Sequence, residues 1–67
     1  MRGKDYYYSE ISKVLKSFAP ELEQTFSEVT KNKSAREVYF WLFENQKVKV
    51  FPEEIKSLIR DFYWEVF

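Results

Sequence analysis

Residues that catalyse reactions or bind metals are scarce in this sequence. Its 67 residues include no histidine and no cysteine, which excludes an imidazole base, a thiol nucleophile, a disulfide framework and a His/Cys zinc site. The remaining acid–base candidates are three carboxylate pairs, Glu21/Glu23, Glu53/Glu54 and Asp61/Glu65. The first two pairs lie where helices are predicted to begin and favour the helix dipole there. Asp61 and Glu65 could share a divalent cation, but such i, i+4 pairs are more often a solvated face. We therefore expect no enzyme, no cofactor and no metal.

The charge of the chain argues against nucleic acid as the main ligand. There are 11 basic and 11 acidic residues, whereas non-specific phosphate binding depends on an excess of positive charge. One stretch, residues 31–49, is locally basic through Lys31, Lys33, Arg36, Lys47 and Lys49. The helix predicted after it is acidic overall, and phosphate would repel a recognition helix of that sign. We expect no sequence-specific nucleic-acid binding, and weak single-strand binding through this stretch is an alternative.

Aromatic residues are the main anomaly, at 21% of the chain. Large rings help a short chain to build a core, and the sequence predicts Phe18, Phe26 and Trp41 inside. A body of this size cannot bury all of its rings, and exposed apolar patches usually mark interfaces. Three groups are predicted to be in surplus: Tyr6-Tyr7-Tyr8; Tyr39, Phe40 and Phe43; and the segment from Phe62 to Phe67.

The hydrophobic spacing predicts two helices in the first half of the chain. The first runs to Phe18 and begins at Asp5 or Ser9, either of which could cap it. Pro20 opens the second, because proline suits a first helical position. This second helix is predicted to stop near residues 31–33, where the dipole prefers cations.

Two further helices are predicted in the second half. Ser34 and Glu37 form a capping box that opens a helix over residues 35–45. The last helix starts at Pro52 and reaches the end of the sequence. Between them, residues 46–51 alternate in polarity and are predicted to form either one short strand or an extended connector. The fold class is therefore all-α, with three or four short helices.

Nothing in the sequence divides the chain, so residues 1–67 are predicted to form one helical protein-interaction domain. No apolar run approaches the roughly 20 residues that a membrane span requires, and nothing resembles a signal peptide. We expect a cytoplasmic protein without membrane contacts.

Residues 56–63, KSLIRDFY, resemble a degenerate clamp-binding box, the motif by which replication proteins dock on the sliding clamp PCNA. The box has a glutamine, two free positions, an aliphatic residue, two free positions and two adjacent aromatics. Lys56 stands where glutamine is expected, Ile59 is the aliphatic residue, and Phe62 and Tyr63 are the aromatic pair.

The whole chain is similar to small archaeal protein inhibitors of PCNA in length, in its Lys/Glu-rich and aromatic composition, and in this box. The resemblance implies a stand-alone regulator, monomeric or in complex with the clamp, that occupies the client pocket and could also weaken the ring. Ile59, Phe62 and Tyr63 would then form a plug that Trp64 and Phe67 extend, with Lys56 beside it.

Two alternatives follow from the residues themselves. Ile59 and Phe62 also lie on the stripe that the helical period assigns to the core, so this helix could simply pack on the others. Both interpretations hold in part if Tyr63, Trp64 and Phe67 face outward while Ile55 and Leu58 face inward. The chain could also be a homodimeric or partner-binding helical domain unrelated to replication, using its third helix.

Overall fold

The computed structural model describes residues 3–67 as a bundle of four α-helices. In chain order these are α1 (Lys4–Phe18), α2 (Pro20–Asn32), α3 (Ala35–Val48) and α4 (Glu53–Val66). The all-α prediction is confirmed, and no strand forms within residues 3–67. Among those residues, every helix is too short or too polar to cross a bilayer.

The predicted start signals of α2 and α3 are confirmed. Pro20 is the first residue of α2, which ends at Asn32. At the start of α3, Ser34 Oγ accepts a hydrogen bond from the Glu37 N–H (3.4 Å), and the Ser34 N–H donates to the Glu37 carboxylate (3.3 Å). Hydrogen bonds from the backbone and then the hydroxyl of Ser34 lower the pKa of the Glu37 carboxyl.

The predicted cap of α1 is wrong. The N-cap is Gly3, which makes no side-chain hydrogen bond, and the helix begins at Lys4. Asp5 lies in the first turn, where its carboxylate interacts favourably with the helix dipole. Ser9 lies inside the helix.

The segment over residues 46–51 also differs from the prediction. Helix α3 continues three residues past the predicted end, to Val48, and an extended connector follows at Lys49 (φ −129°, ψ 128°). Neither glycine nor proline interrupts the helix before Pro52, whose ring disfavours helical backbone at Phe51. The alternation in polarity therefore spans the end of a helix and a short connector.

Each helix contributes one apolar stripe to a single core. Helix α1 packs on both α2 and α4, and α3 packs on α4 and α2. The buried side chains are Tyr7, Ile11, Leu15, Ala19, Phe26, Val38, Leu42, Phe51, Ile55, Ile59 and Phe62. Tyr8 lies against Phe26 and Phe62, with ring centroids 6.0 and 5.6 Å away.

The aromatic residues divide between core and surface differently from the prediction. Phe26 is buried as predicted, whereas Phe18 and Trp41 are only half-buried against the core. Tyr7 was predicted to be in surplus but is buried, and Phe51, predicted to lie in a strand or connector, closes the core against Phe18 at 5.8 Å. The Tyr8 hydroxyl is buried without a hydrogen-bond partner.

Candidate docking surface on helices α3 and α4

Helices α3 and α4 present a continuous cluster of aromatic rings on one side of the bundle. We name it the α3/α4 aromatic surface; its members are Tyr39, Phe40, Phe43, Tyr63, Trp64 and Phe67. Within each helix, residues four apart lie on the same face. Tyr39 accordingly stacks near Phe43 (6.2 Å, 23°), and Tyr63 stacks on Phe67 (5.0 Å, 25°).

Tyr39 joins the rings of the two helices. Its centroid lies 5.3 Å from that of Tyr63 and 5.4 Å from that of Phe67. Phe40 also reaches Phe67 at 5.8 Å, and Trp64 meets Tyr63 edge-on at 5.4 Å. These separations are those of favourable aromatic pairs, so the rings form one packed unit.

Much of this surface is open to solvent. The exposed fractions are 74% for Trp64, 54% for Phe40, 48% for Phe67 and 38% for Tyr63. Contiguous apolar patches of this kind are uncommon on monomeric proteins and mark interaction sites. Tyr, Trp and Phe are also the residues enriched at the centres of interfaces.

The structure divides the predicted clamp-binding box between core and surface. Ile59 is 4% exposed and Phe62 is fully buried, so a plug made of Ile59, Phe62 and Tyr63 together is not formed in this fold. The cause is the helical period: Ile59 and Phe62 share the inner stripe with Ile55, whereas Tyr63, one residue on, is rotated by about 100°.

The other predicted site residues are accessible. Tyr63, Trp64 and Phe67 belong to the α3/α4 aromatic surface, and Lys56 is exposed beside it. Ile55 is buried and Leu58 is half-buried, as the mixed interpretation of this helix requires. Helix α4 therefore uses one side for the core and another for a surface.

Four basic residues border the aromatic rings, and we name them the basic rim: Arg36, Lys47, Lys56 and Arg60. The Arg36 guanidinium carbon lies 5.2 Å from the Phe67 centroid, and Lys47 Nζ lies 4.6 Å from the Phe43 centroid. Both are within cation–π range. Lys56 and Arg60 line a groove of about 290 Å³ between α3 and α4, which we name the α3–α4 groove.

The sequence-based site omitted most of this arrangement. Tyr39, Phe43, Arg36 and Lys47 were predicted only for the alternative functions, not as clamp contacts, and Arg60 was not predicted at all. Their spacing carried a usable signal, because Arg36, Phe43 and Lys47 are separated by seven and four residues and so share a helix face. What the spacing could not give was which helix faces that stripe.

The basic stretch over residues 31–49 is not one patch. Arg36 and Lys47 lie eleven residues apart on α3, about 16 Å along its axis. Lys31 and Lys33 lie at the Arg36 end, and Lys49 lies at the Lys47 end. Within residues 3–67, no three carboxylates are grouped closely enough to hold a metal ion.

Comparisons with protein-family models, with curated proteins and with solved structures give no match to this chain.

Proposed function

We propose that this chain is a protein-interaction module that docks a partner through the α3/α4 aromatic surface. The observation that supports the proposal is the contiguity of six rings on two helices, with Trp64, Phe40 and Phe67 about half exposed or more. Burying such rings supplies most of the binding energy in protein interfaces. No enzymatic activity is part of the proposal.

The sliding clamp PCNA is the partner we propose, on the strength of the resemblance at residues 56–63. In the folded chain the contact is made by Tyr63, Trp64 and Phe67, while Ile59 and Phe62 hold α4 against the core. A bulky folded body seated at the client pocket excludes polymerase and other clients. The chain then acts as an inhibitor that competes for the clamp without chemistry.

Calorimetric titration of the full chain with an archaeal PCNA tests this proposal. We expect Trp64→Ala combined with Phe67→Ala to remove about 2 kcal/mol or more of the binding free energy. Both side chains are exposed, so the helical circular-dichroism signal should be retained. The matched control is Val48→Ala with Val50→Ala. These apolar side chains are 90% and 79% exposed but are not members of the α3/α4 aromatic surface.

Equal binding by both double variants would show that the α3/α4 aromatic surface is not the docking site. No binding of the clamp by the wild-type chain would remove PCNA as the partner. A tight homodimer in sedimentation, with Tyr39 and Phe43 protected, would instead support the homodimeric alternative.

A further inference from the structure

The outward residues of α4 are sorted by charge. Lys56 and Arg60 lie four residues apart, and Tyr63 follows three residues later, so the two cations share the face of the aromatic rings. The carboxylates Glu54, Asp61 and Glu65 are spaced by seven and four residues and follow another flank, whose last member, Glu65, lines a hollow together with Arg36 of α3. One flank of α4 is therefore aromatic and basic, and another is acidic.

Helix α3 is sorted in the same sense. Arg36 and Lys47 accompany the rings that face α4. Glu37 and Glu44 follow the adjoining flank, where they line the hollow against α2 together with Trp41 and with Phe40, the ring at the edge of the surface. The two helices therefore turn their basic sides toward each other, and the zero net charge of the chain conceals a local excess of positive charge.

Two carboxylates do reach the basic rim. Glu44 lies 3.8 Å from Lys47, and Glu53 lies 4.0 Å from Lys56. All four side chains are largely exposed, and pairs of this kind contribute little and are easily exchanged. Two more carboxylates, Glu65 and Glu37, line hollows at the Arg36 and Phe40 ends of the surface, together with Lys4 and Lys33. With these residues counted, six cations and four carboxylates surround the rings, so a positive excess remains.

We propose that the α3/α4 aromatic surface binds an acidic, apolar segment of a partner protein; this inference rests on the proposed function and specifies the chemistry of the partner. An aliphatic or aromatic side chain of the segment enters the α3–α4 groove. Carboxylates on either side of it meet the basic rim, where Arg36 and Arg60 can bind carboxylates in bidentate fashion.

A second copy of the chain fits this surface poorly. In a two-fold dimer the same patch meets itself, which would bring two basic rims together. Juxtaposed like charges are strongly unfavourable at interfaces.

Single-stranded nucleic acid is also less favoured. It needs free ring faces for base stacking, whereas Tyr63 and Phe67 stack on each other and Arg36 covers Phe67. On α3, Lys47 covers Phe43, which leaves Trp64 and Phe40, within residues 3–67, as the two widely exposed rings without a covering cation.

Selection of a displayed library of short random peptides on the full chain tests the inference. We expect the selected peptides to be enriched in Asp and Glu around a Leu, Phe or Trp. Excess soluble wild-type protein should compete for these peptides, whereas excess Trp64→Ala/Phe67→Ala protein should not. A synthetic copy of the best peptide should bind about tenfold more weakly when each carboxylate is replaced by its amide.

Charge variants of the chain complete the test. Lys56→Gln with Arg60→Gln should weaken binding of the acidic peptide by a similar factor and should reduce the salt dependence of that binding. The control is Lys16→Gln with Lys31→Gln, which removes the same charge from exposed positions outside the surface and should change nothing.

Each outcome separates the two proposals. Selected peptides that are apolar but neutral, yet compete at Trp64 and Phe67, would overturn the acidic partner and leave the docking surface standing. Peptides that bind independently of these residues, or none at all, would count against the docking surface and with it this inference. Tighter binding of a thymidine oligonucleotide than of any peptide would overturn the choice of a protein partner.

Discussion

Two aromatic clusters of this chain have similar ring geometry but opposite exposure. Inside, the Tyr8 ring lies 6.0 and 5.6 Å from those of Phe26 and Phe62. On the α3/α4 aromatic surface, comparable pairs lie 5.0 to 6.2 Å apart. Phe26 and Phe62 are 1% and 0% exposed, however, whereas Trp64 is 74% exposed. Ring contacts therefore do not identify a binding site; the identifying feature is that rings which already contact one another remain open to solvent.

Phe62 and Tyr63 show the same difference between two adjacent residues. They are the adjacent aromatics of the clamp-binding box, yet one is in the interior cluster and the other on the surface. A substitution of each should therefore fail in a different way, the first in folding and the second in binding.

The largest effect should follow Phe62→Ala, at about 3–5 kcal/mol of unfolding free energy, because it leaves a ring-sized cavity in the core. A domain of this length has only a few kcal/mol in total, so the variant should be largely unfolded. Urea unfolding followed by circular dichroism measures the change. Trp64→Ala is the matched control and should stay within about 0.5 kcal/mol of wild type. Near-native stability of Phe62→Ala would mean that the interior cluster is not the core.

Tyr8→Phe should stabilise the fold by about 1–2 kcal/mol. It removes a buried hydroxyl that has no hydrogen-bond partner, and such a group carries a desolvation cost. Tyr63→Phe is the control, because the exposed Tyr63 can hydrogen-bond to water and its substitution should change the unfolding free energy little. A loss of stability in Tyr8→Phe would reveal a partner for this hydroxyl.

Ser34→Ala should lower the free energy of unfolding by about 1 kcal/mol, because it removes the N-cap side chain of α3. The first turn of α3 carries Arg36 over Phe67. Local unfolding should therefore begin at the α3/α4 aromatic surface and leave the interior rings of Tyr8, Phe26 and Phe62 packed. Amide hydrogen exchange should accelerate in residues 35–38 before it does in the core of α1. Uniform acceleration through all four helices would contradict this local effect.

The smallest effect should appear in alkaline solution. Burial, and then the Asp5 carboxylate, raise the pKa of the Tyr8 phenol. Because the folded state holds this proton more tightly than the unfolded chain, the contribution to stability is complete below the ordinary pKa of about 10 and is lost above it. The alkaline decrease in melting temperature should therefore be smaller in Tyr8→Phe than in wild type. Identical pH profiles would exclude this role for Tyr8.

Local signals were enough to predict most of the fold. The Ser34/Glu37 capping box, the proline at Pro20 and the 3.6-residue spacing gave four helices with nearly correct limits. The start of α1 was missed because Gly3 caps it without a side-chain signal, and α3 was predicted too short because residues 46–48 are compatible with both helix and strand.

The burial of individual rings depended on tertiary packing and was harder to predict. Three consecutive tyrosines point in three directions from α1, and which of them faces inward is set by the position of α4. Phe51 is buried because the connector closes over Phe18, a contact between distant parts of the sequence. For the candidate site, the α4 rings and the α3 rings were predicted as separate surfaces, and their union was not, since adjacency of the two helices is not encoded in either one.

The packing of α1 on α4 would link the proposed docking to the stability of the whole chain. These helices are furthest apart in sequence, so the residues of α4 are oriented for docking only when the entire bundle is closed. A chain of this size buries only about 60% of its unfolded surface and is marginal by itself. A partner present at a hundred times its dissociation constant would add about 2.7 kcal/mol by mass action. The partner would thus stabilise the folded chain that binds it. The lifetime of this protein in the cell would then depend on the abundance of its partner.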